Sequence, residues 1–501
     1  MTRRIPPGGA LHWQHTTDNP RRRAKSDSMK RFVSEPGILV VIVAVMIVAT
    51  AAIARAQNAP SPPPPSSAPA GAAPSEPAPP YSSSGKIRME IVGPGSQLSS
   101  IALPELKNLA GDDLHEISGT FIDTLSHDLK LSGYLRVVDP HAYIEDSQDT
   151  GYELGKFNMA DWSSLNADFL VKGAVTVKEN DITLEARLYD VAQQRQMMGK
   201  RYTGNGDEVA RMGRRFADDV LKAITGVPGP FDTTIAFVST RAGRFKEIYT
   251  AAIDGQDVFK VTNNPTINLF PSFDRSARNL LYISYKNGAP ALYLADLHAR
   301  RELRIGSLLG VPIGGALSPD GRYIAAAIEH GGLTDLHLLD SAGREIRALT
   351  NGGPINVSPA FSPDQTRLAF TSDRVGSPQI YLMDLGGGGE PRRLTYSGNY
   401  NTTPAFSPKG DRIAYQGRAD GRFDIYVIGL DGGDPVRLTE GEGSNESASW
   451  SPDGRYIMFS STRSGHARLY LMQVETGKII SALLEDKGDD TSPVWSWWLP
   501  E

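Results

Sequence analysis

Six basic or imidazole side chains recur through the second half of the chain: Arg241, Lys286, His330, Arg374, Arg418 and Arg463, at steps of 45, 44, 44, 44 and 45 residues. The chemistry open to such a set is recognition. Gathered on one face, five fixed cations and a histidine would attract acidic partners even on a chain of net charge −5. The same spacing allows a second reading, in which each cation pairs with a carboxylate such as Asp373 or Asp420 and ties repeat to repeat. A polar series runs beside the first. Asn268, Asn356, Asn401, Asn445 and Asp490 stand three positions before Pro271, Pro359, Pro404, Ala448 and Pro493, and Pro312 interrupts the series. These groups either face the mouth of a central channel beside the basic loops, where both series together form a partner site, or bond the local backbone of turns.

Catalytic chemistry finds few residues to use. The chain has no cysteine, which removes thiol nucleophiles, disulfides and cysteine-ligated metals together. Its nine histidines include no pair at i, i+4, and His330 and His337 are expected in surface or core roles. No Gly-x-Ser-x-Gly elbow occurs. No enzyme activity, cofactor or metal is expected, although a channel cation held by backbone and asparagine oxygens stays open. A negative chain without a basic domain also argues against nucleic acid.

The elements that must position these residues come from one repeat. Phe273, Leu317, Phe361, Phe406, Trp450 and Trp495 mark a period of 44, 44, 45, 44 and 45 residues. A second mark, Tyr249, Tyr293, His337, Tyr381, Tyr426 and Tyr470, keeps the same period. Between the marks lie short β-branched or aromatic runs such as Ile235-Ala236-Phe237 and Leu368-Ala369-Phe370, separated by Ser-Pro-Asp-Gly and Gly-rich turns. Four strands per period make a propeller blade. The predicted architecture is an all-β six-bladed β-propeller over 231–501 with a smaller N-terminal α/β domain over 86–230. The first period lacks its leading strand and the last residues supply an orphan copy, Pro493-Val494-Trp495-Ser496, so the C-terminal strand is expected to close the ring.

In the α/β domain, Asp112 and Asp113 precede a helix with Leu114, Ile117, Phe121, Leu125 and Leu129 on one face. A strand at 134–138, a short helix at 161–164, a meander over 169–177, 182–190 and 198–202, and a helix over 208–224 follow. Ahead of the domain, Met29-Lys30-Arg31, the apolar run 37–50 and Ala54-Arg55-Ala56 have the zones of a signal peptide over 29–56, cleaved after Ala56. The alternative is an uncleaved anchor over 38–54. Residues 1–28, with Arg3, Arg4, Arg21, Arg22 and Arg23, are an extended basic region or precede a true start at Met29. Residues 57–85, rich in Pro, Ser and Ala, form a tether.

The chain resembles the TolB family of periplasmic Tol-Pal propeller proteins over about 86–501. The resemblance rests on Ile87-Arg88-Met89-Glu90-Ile91, Trp162-Ser163-Ser164-Leu165-Asn166-Ala167-Asp168, the junction Ile224-Thr225-Gly226-Val227-Pro228-Gly229-Pro230-Phe231, and the Phe-Ser-Pro-Asp blades. It implies a non-enzymatic periplasmic protein that keeps the outer membrane intact and supports its invagination at division. The implied partners are the peptidoglycan-associated lipoprotein Pal, bound through the propeller, and TolA, bound through the N-terminal strand Ile87, Arg88, Met89, Glu90 and Ile91. In this sequence that strand follows the Pro-rich tether instead of opening the mature chain. The competing reading is an envelope scaffold that binds peptidoglycan or glycan directly on Trp495, Trp497 and Trp498.

Overall fold

Short runs of alternating or continuous apolar residues, each closed by Gly, Pro or Asp, leave every 44- or 45-residue period no room for anything but antiparallel hairpins. The computed structural model describes residues 98–109, 115–306, 310–387, 389–484 and 487–499, all within one compact unit, Gly85–Glu501. The signal, tether and Ile87 to Ile91 segments, and Asp112, Asp113 and Leu114, lie outside the described residues.

Six four-stranded antiparallel sheets follow one another. Blade one holds Asp490–Trp498, Thr233–Ser239, Glu247–Ala252 and Phe259–Lys260. The next three open with Asn268–Phe273, Val311–Leu317 and Asn356–Phe361, and blades five and six open with Asn401–Phe406 and Asn445–Trp450. The C-terminal strand therefore lies innermost in the first blade, with Trp495 opposite Ile235 and Asp490 opposite Ser239. Second and third strands carry facing aromatic pairs in five blades: Phe237–Tyr249, Tyr282–Tyr293, Phe370–Tyr381, Tyr415–Tyr426 and Phe459–Tyr470, with ring centroids 5.5 to 6.1 Å apart. In the third blade Ala326 faces His337 instead.

The N-terminal part is a mixed sheet in the order β3, β1, β4, β5, β6, where β1 is Ser99–Ala102, β3 Leu135–Val137, β4 Phe169–Lys178, β5 Asp181–Asp190 and β6 Arg195–Gly204; β2, Lys107–Asn108, pairs with β4. Its helices are α1, His115–Leu131, α2, Met159–Ser164, and α3, Val209–Thr225. The acidic, apolar-striped α1 buries Phe121, Leu125 and Leu129, and α3 buries Val209, Met212, Phe216 and Val220. Gly226, at φ 81°, ends α3 in the left-handed conformation that a side chain would disfavour.

One hydrophobic cluster runs through both parts: Phe121, Leu125 and Phe216 share it with Ile235, Phe237, Tyr456, Met458 and Trp495. Polar ties reinforce it. Tyr456 Oη donates to the Ser132 carbonyl at 2.7 Å, and Arg455 donates to Thr225 Oγ1 and the Val227 carbonyl. The residues that meet the N-terminal part, Asp254 and Arg455, lie in turns after third and first strands. Strand alternation puts those turns at one end of the ring, and the second-to-third-strand hairpins and blade-to-blade connections at the other. The second end carries both series singled out from the sequence.

Candidate partner-binding face

At this loop end the asparagines are buried, and they work between blades. The Nδ2 of Asn445, first residue of the sixth blade, donates at 3.0 Å to Asp424 on the third strand of the fifth. Asp424 also accepts from Thr439 Oγ1 at 2.8 Å, and Thr439 Oγ1 accepts from the Ile425 amide at 2.9 Å. The same triangle recurs around Asn401 with Gln379 and Thr395, around Asn356 with Asp335 and Thr350, and around Asn268 with Glu247 and Thr262. The sequence offered either a channel-mouth group or a turn-local one. The turn-local bonds are present, from Asn356 to the Pro354 carbonyl at 3.0 Å, Asn401 to Ser397 at 2.8 Å and Asn445 to Glu442 at 3.2 Å. The same amides also clasp one blade to the preceding one, which lets these side chains be buried with their donors used.

Three of the cations complete the clasp. Arg463 donates to Asn445 Oδ1 at 3.0 Å and to Ser461 Oγ at 3.0 Å, and its guanidinium lies over Phe459 and Tyr470. Arg374 does the same with Asn356, Ser372, Phe370 and Tyr381. Arg241 forms a two-oxygen ion pair with Asp490, bonds Ser239 and covers Phe237 and Tyr249. Burial pushes the Asp490 carboxyl above its ordinary range, against the pull of Arg241. The partner of Arg374 is therefore an asparagine, whereas Asp373 accepts from the Ile355 amide. The fork of arginine matches this geometry by serving amide, hydroxyl and ring at once.

Lys286 departs from the pattern. Its ammonium lies 3.8 Å from the Tyr293 ring centroid and bonds Glu302, leaving Asn268 Oδ1 buried without a donor. Burial lowers the Lys286 pKa and raises that of Glu302. His330 ends its strand exposed, opposite Leu333. Arg418 corrects the alignment drawn from spacing. Asn401 faces Gly417 where Asn356 faces Ser372, so Ala419 takes the place of Arg374, and Arg418 that of Asp373. A one-residue offset turns a strand side chain to the other face. Arg418 is half-buried in a longer hairpin, opposite Phe423, with no side-chain hydrogen bond or ion pair among the described residues.

What remains open at this end is a sector of blades three to five. Leu333 is 45% exposed, Val375 51% and Tyr396 72%, with Arg393 above the Tyr396 ring at 4.7 Å. Exposed large apolar side chains at the same end as the unbonded Arg418 suit protein contact. Sequence reasoning missed them because Val375 and Tyr396 fall in loops and Leu333 at the very start of a strand, all outside the marks of the blade alignment. Of the tryptophans, Trp495 is buried and donates to Thr233, whereas Trp497 and Trp498 are half-buried, Trp498 donating to the Gly229 carbonyl and Arg275 lying 3.9 Å over Trp497. Among the described residues no helix is long and apolar enough to cross a membrane.

Comparison with known proteins agrees with the fold. The TolB beta propeller domain family matches residues 221–497, more than half of the chain, and the TolB amino-terminal domain family matches 87–197. Among curated relatives, the Tol-Pal system protein TolB of Desulfosudis oleivorans is 39% identical over 50% of this chain and 57% of its own. That of Geobacter metallireducens is 41% identical over 38% and 44%. The chain spans about half the length of these relatives. The crystal structure of TolB from Acinetobacter baumannii superposes with a TM-score of 0.68 at 24% identity, over 80% of this chain and 97% of that one, a likeness of fold.

Proposed function

We propose that this chain, which belongs to the TolB family, is a non-enzymatic component of a Tol-Pal system that acts by binding other proteins of the cell envelope. Its place is the periplasm, reached through the signal over 29–56, with 57–85 as tether. By holding partners there it maintains outer membrane integrity and supports invagination of that membrane at division. The relatives' names as Tol-Pal system proteins support this reading.

The observation that carries it is the asymmetry of the ring. At one end the N-terminal helices pack on the first and sixth blades, and the other end presents Leu333, Val375 and Tyr396 beside His330 and Arg418. Pal docks on this open sector, with the clasped Arg241–Asp490, Arg374–Asn356 and Arg463–Asn445 pairs fixing loops of the same end. TolA takes the segment Ile87 to Ile91. Titration calorimetry of the full chain with the soluble part of Pal tests the first contact. Tyr396→Ala with Arg418→Glu is expected to weaken binding at least tenfold at unchanged melting temperature, since exposed aromatics and rim charges contribute to affinity without supporting the fold. Undiminished affinity in the double variant would remove the open sector from the account.

A further inference from the structure

The seam between the N-terminal helices and the first blade holds a carboxyl group that no donor reaches. Asp128, near the end of α1, is fully buried, and neither side-chain oxygen has a hydrogen-bond partner among the described residues. Groups face it from each neighbouring element. On α1, His127 Nδ1 lies 3.8 Å from Oδ1, beyond hydrogen-bond distance, with Lys130 close by. From α3 come Arg214 and Asp218, and from the turn after Glu247–Ala252 comes Asp254. Among the described residues only His127 lies within ion-pair distance of Asp128, and Arg214 and Asp218 are engaged elsewhere. Arg214 bonds Asp254 and Asp257 at 2.9 Å each, and Asp218 accepts from the amides of Phe231 and Asp232. Asp128 and Asp254 thus share one buried guanidinium, and the carboxyl without a hydrogen bond sits where the two parts of the molecule meet. A carboxylate desolvated in this way is strongly disfavoured relative to its neutral acid.

We infer that Asp128 is a proton-operated latch between the α1–α3 pair and the first blade, closed when its carboxyl is protonated and loosened when it ionises. The direction of the effect follows from its environment. Burial is the largest cause lifting its pKa from 3.8 to about 6. A carboxyl raised in the folded state gives its full stabilisation below the unfolded value, and that contribution disappears as pH climbs through the folded one. The window therefore runs from 3.8 to about 6. The separation corresponds to a proton held roughly 100-fold more tightly in the folded chain. The Asp128 carboxylate beside it also raises the His127 pKa, so the two groups titrate together. Because the shared core still joins the two parts, loosening stays local to the last turn of α1 and the turn at 252–258.

Two readouts on the full chain test this. Carbon NMR of the aspartate carboxyls is expected to show that the resonance lost in Asp128→Asn is one that titrates near 6 in the native chain. Hydrogen exchange, corrected for intrinsic rate, is expected to show amides of 252–258 losing up to roughly 100-fold in protection between pH 4 and pH 7 in the native chain, and little in Asp128→Asn. A carboxyl spectrum in which every aspartate titrates below 5 overturns the latch, and so does a parallel loss of protection in both proteins. If the variant does not fold, the native titration of the Asp128 carboxyl, assigned through its own backbone resonances, decides.

Discussion

At the scale of single residues, the loop end of the propeller separates side chains that hold the ring from those that face outward. Asn445 serves Asp424 and Arg463 together, so Asn445→Ala leaves a buried carboxylate and a buried guanidinium each short of a partner. We expect a loss of about 2–4 kcal/mol in denaturant unfolding. Arg418→Ala should change stability by less than about 0.5 kcal/mol in the same assay, because no partner is lost. Lys286→Arg is the converse case: a guanidinium can reach Asn268 Oδ1 as Arg374 reaches Asn356, and a gain of about 1 kcal/mol is expected. A fall in stability would show that Glu302 needs the lysine. The cation series itself was legible from spacing, but its chemistry was not. Period alone cannot tell Arg418 from Arg374, since the inner strand of the fifth blade begins 45 residues after that of the fourth while the two arginines lie 44 apart. That single residue reverses the face.

At the scale of elements, the inner strands carry a shared irregularity that the sequence does not announce. Each has a bulge, and in five of them a non-glycine residue takes positive φ: Phe270, Ser358, Thr403, Ser447 and Ser492, between 50° and 57°. The left-handed conformation costs a β-branched residue roughly 1–2 kcal/mol, so Thr403→Gly should raise the unfolding midpoint, by up to about 1 kcal/mol once the greater freedom of the unfolded chain is counted. An unchanged or lower midpoint would mean that the Thr403 side chain is held by contacts worth more than the strain. Most elements of the N-terminal part were readable because they are long and periodic: α1, α3 and the β4–β6 meander follow apolar spacing closely. Strand β1 was not readable. Four residues, Ser-Ser-Ile-Ala, buried between two parallel neighbours, give neither alternation nor length, and only the sheet order around it defines it as a strand.

At the scale of the whole molecule, the N-terminal helices, the first blade and the sixth share one core, and the first blade is completed by the end of the described chain. Local stability in these regions should therefore rise and fall together, which a single cooperative transition by circular dichroism and tryptophan fluorescence would report. Removal of the innermost strand leaves Ile235 and Phe237 without their cover and deprives Arg241 of Asp490. The most direct measurement is thermal unfolding of the chain ended after Asp489 beside the full chain. A ring sealed by its own last strand predicts a midpoint lower by more than about 10 °C, or loss of the cooperative transition, given that several kcal/mol of burial disappear. Coincident melting curves for the two proteins would contradict it.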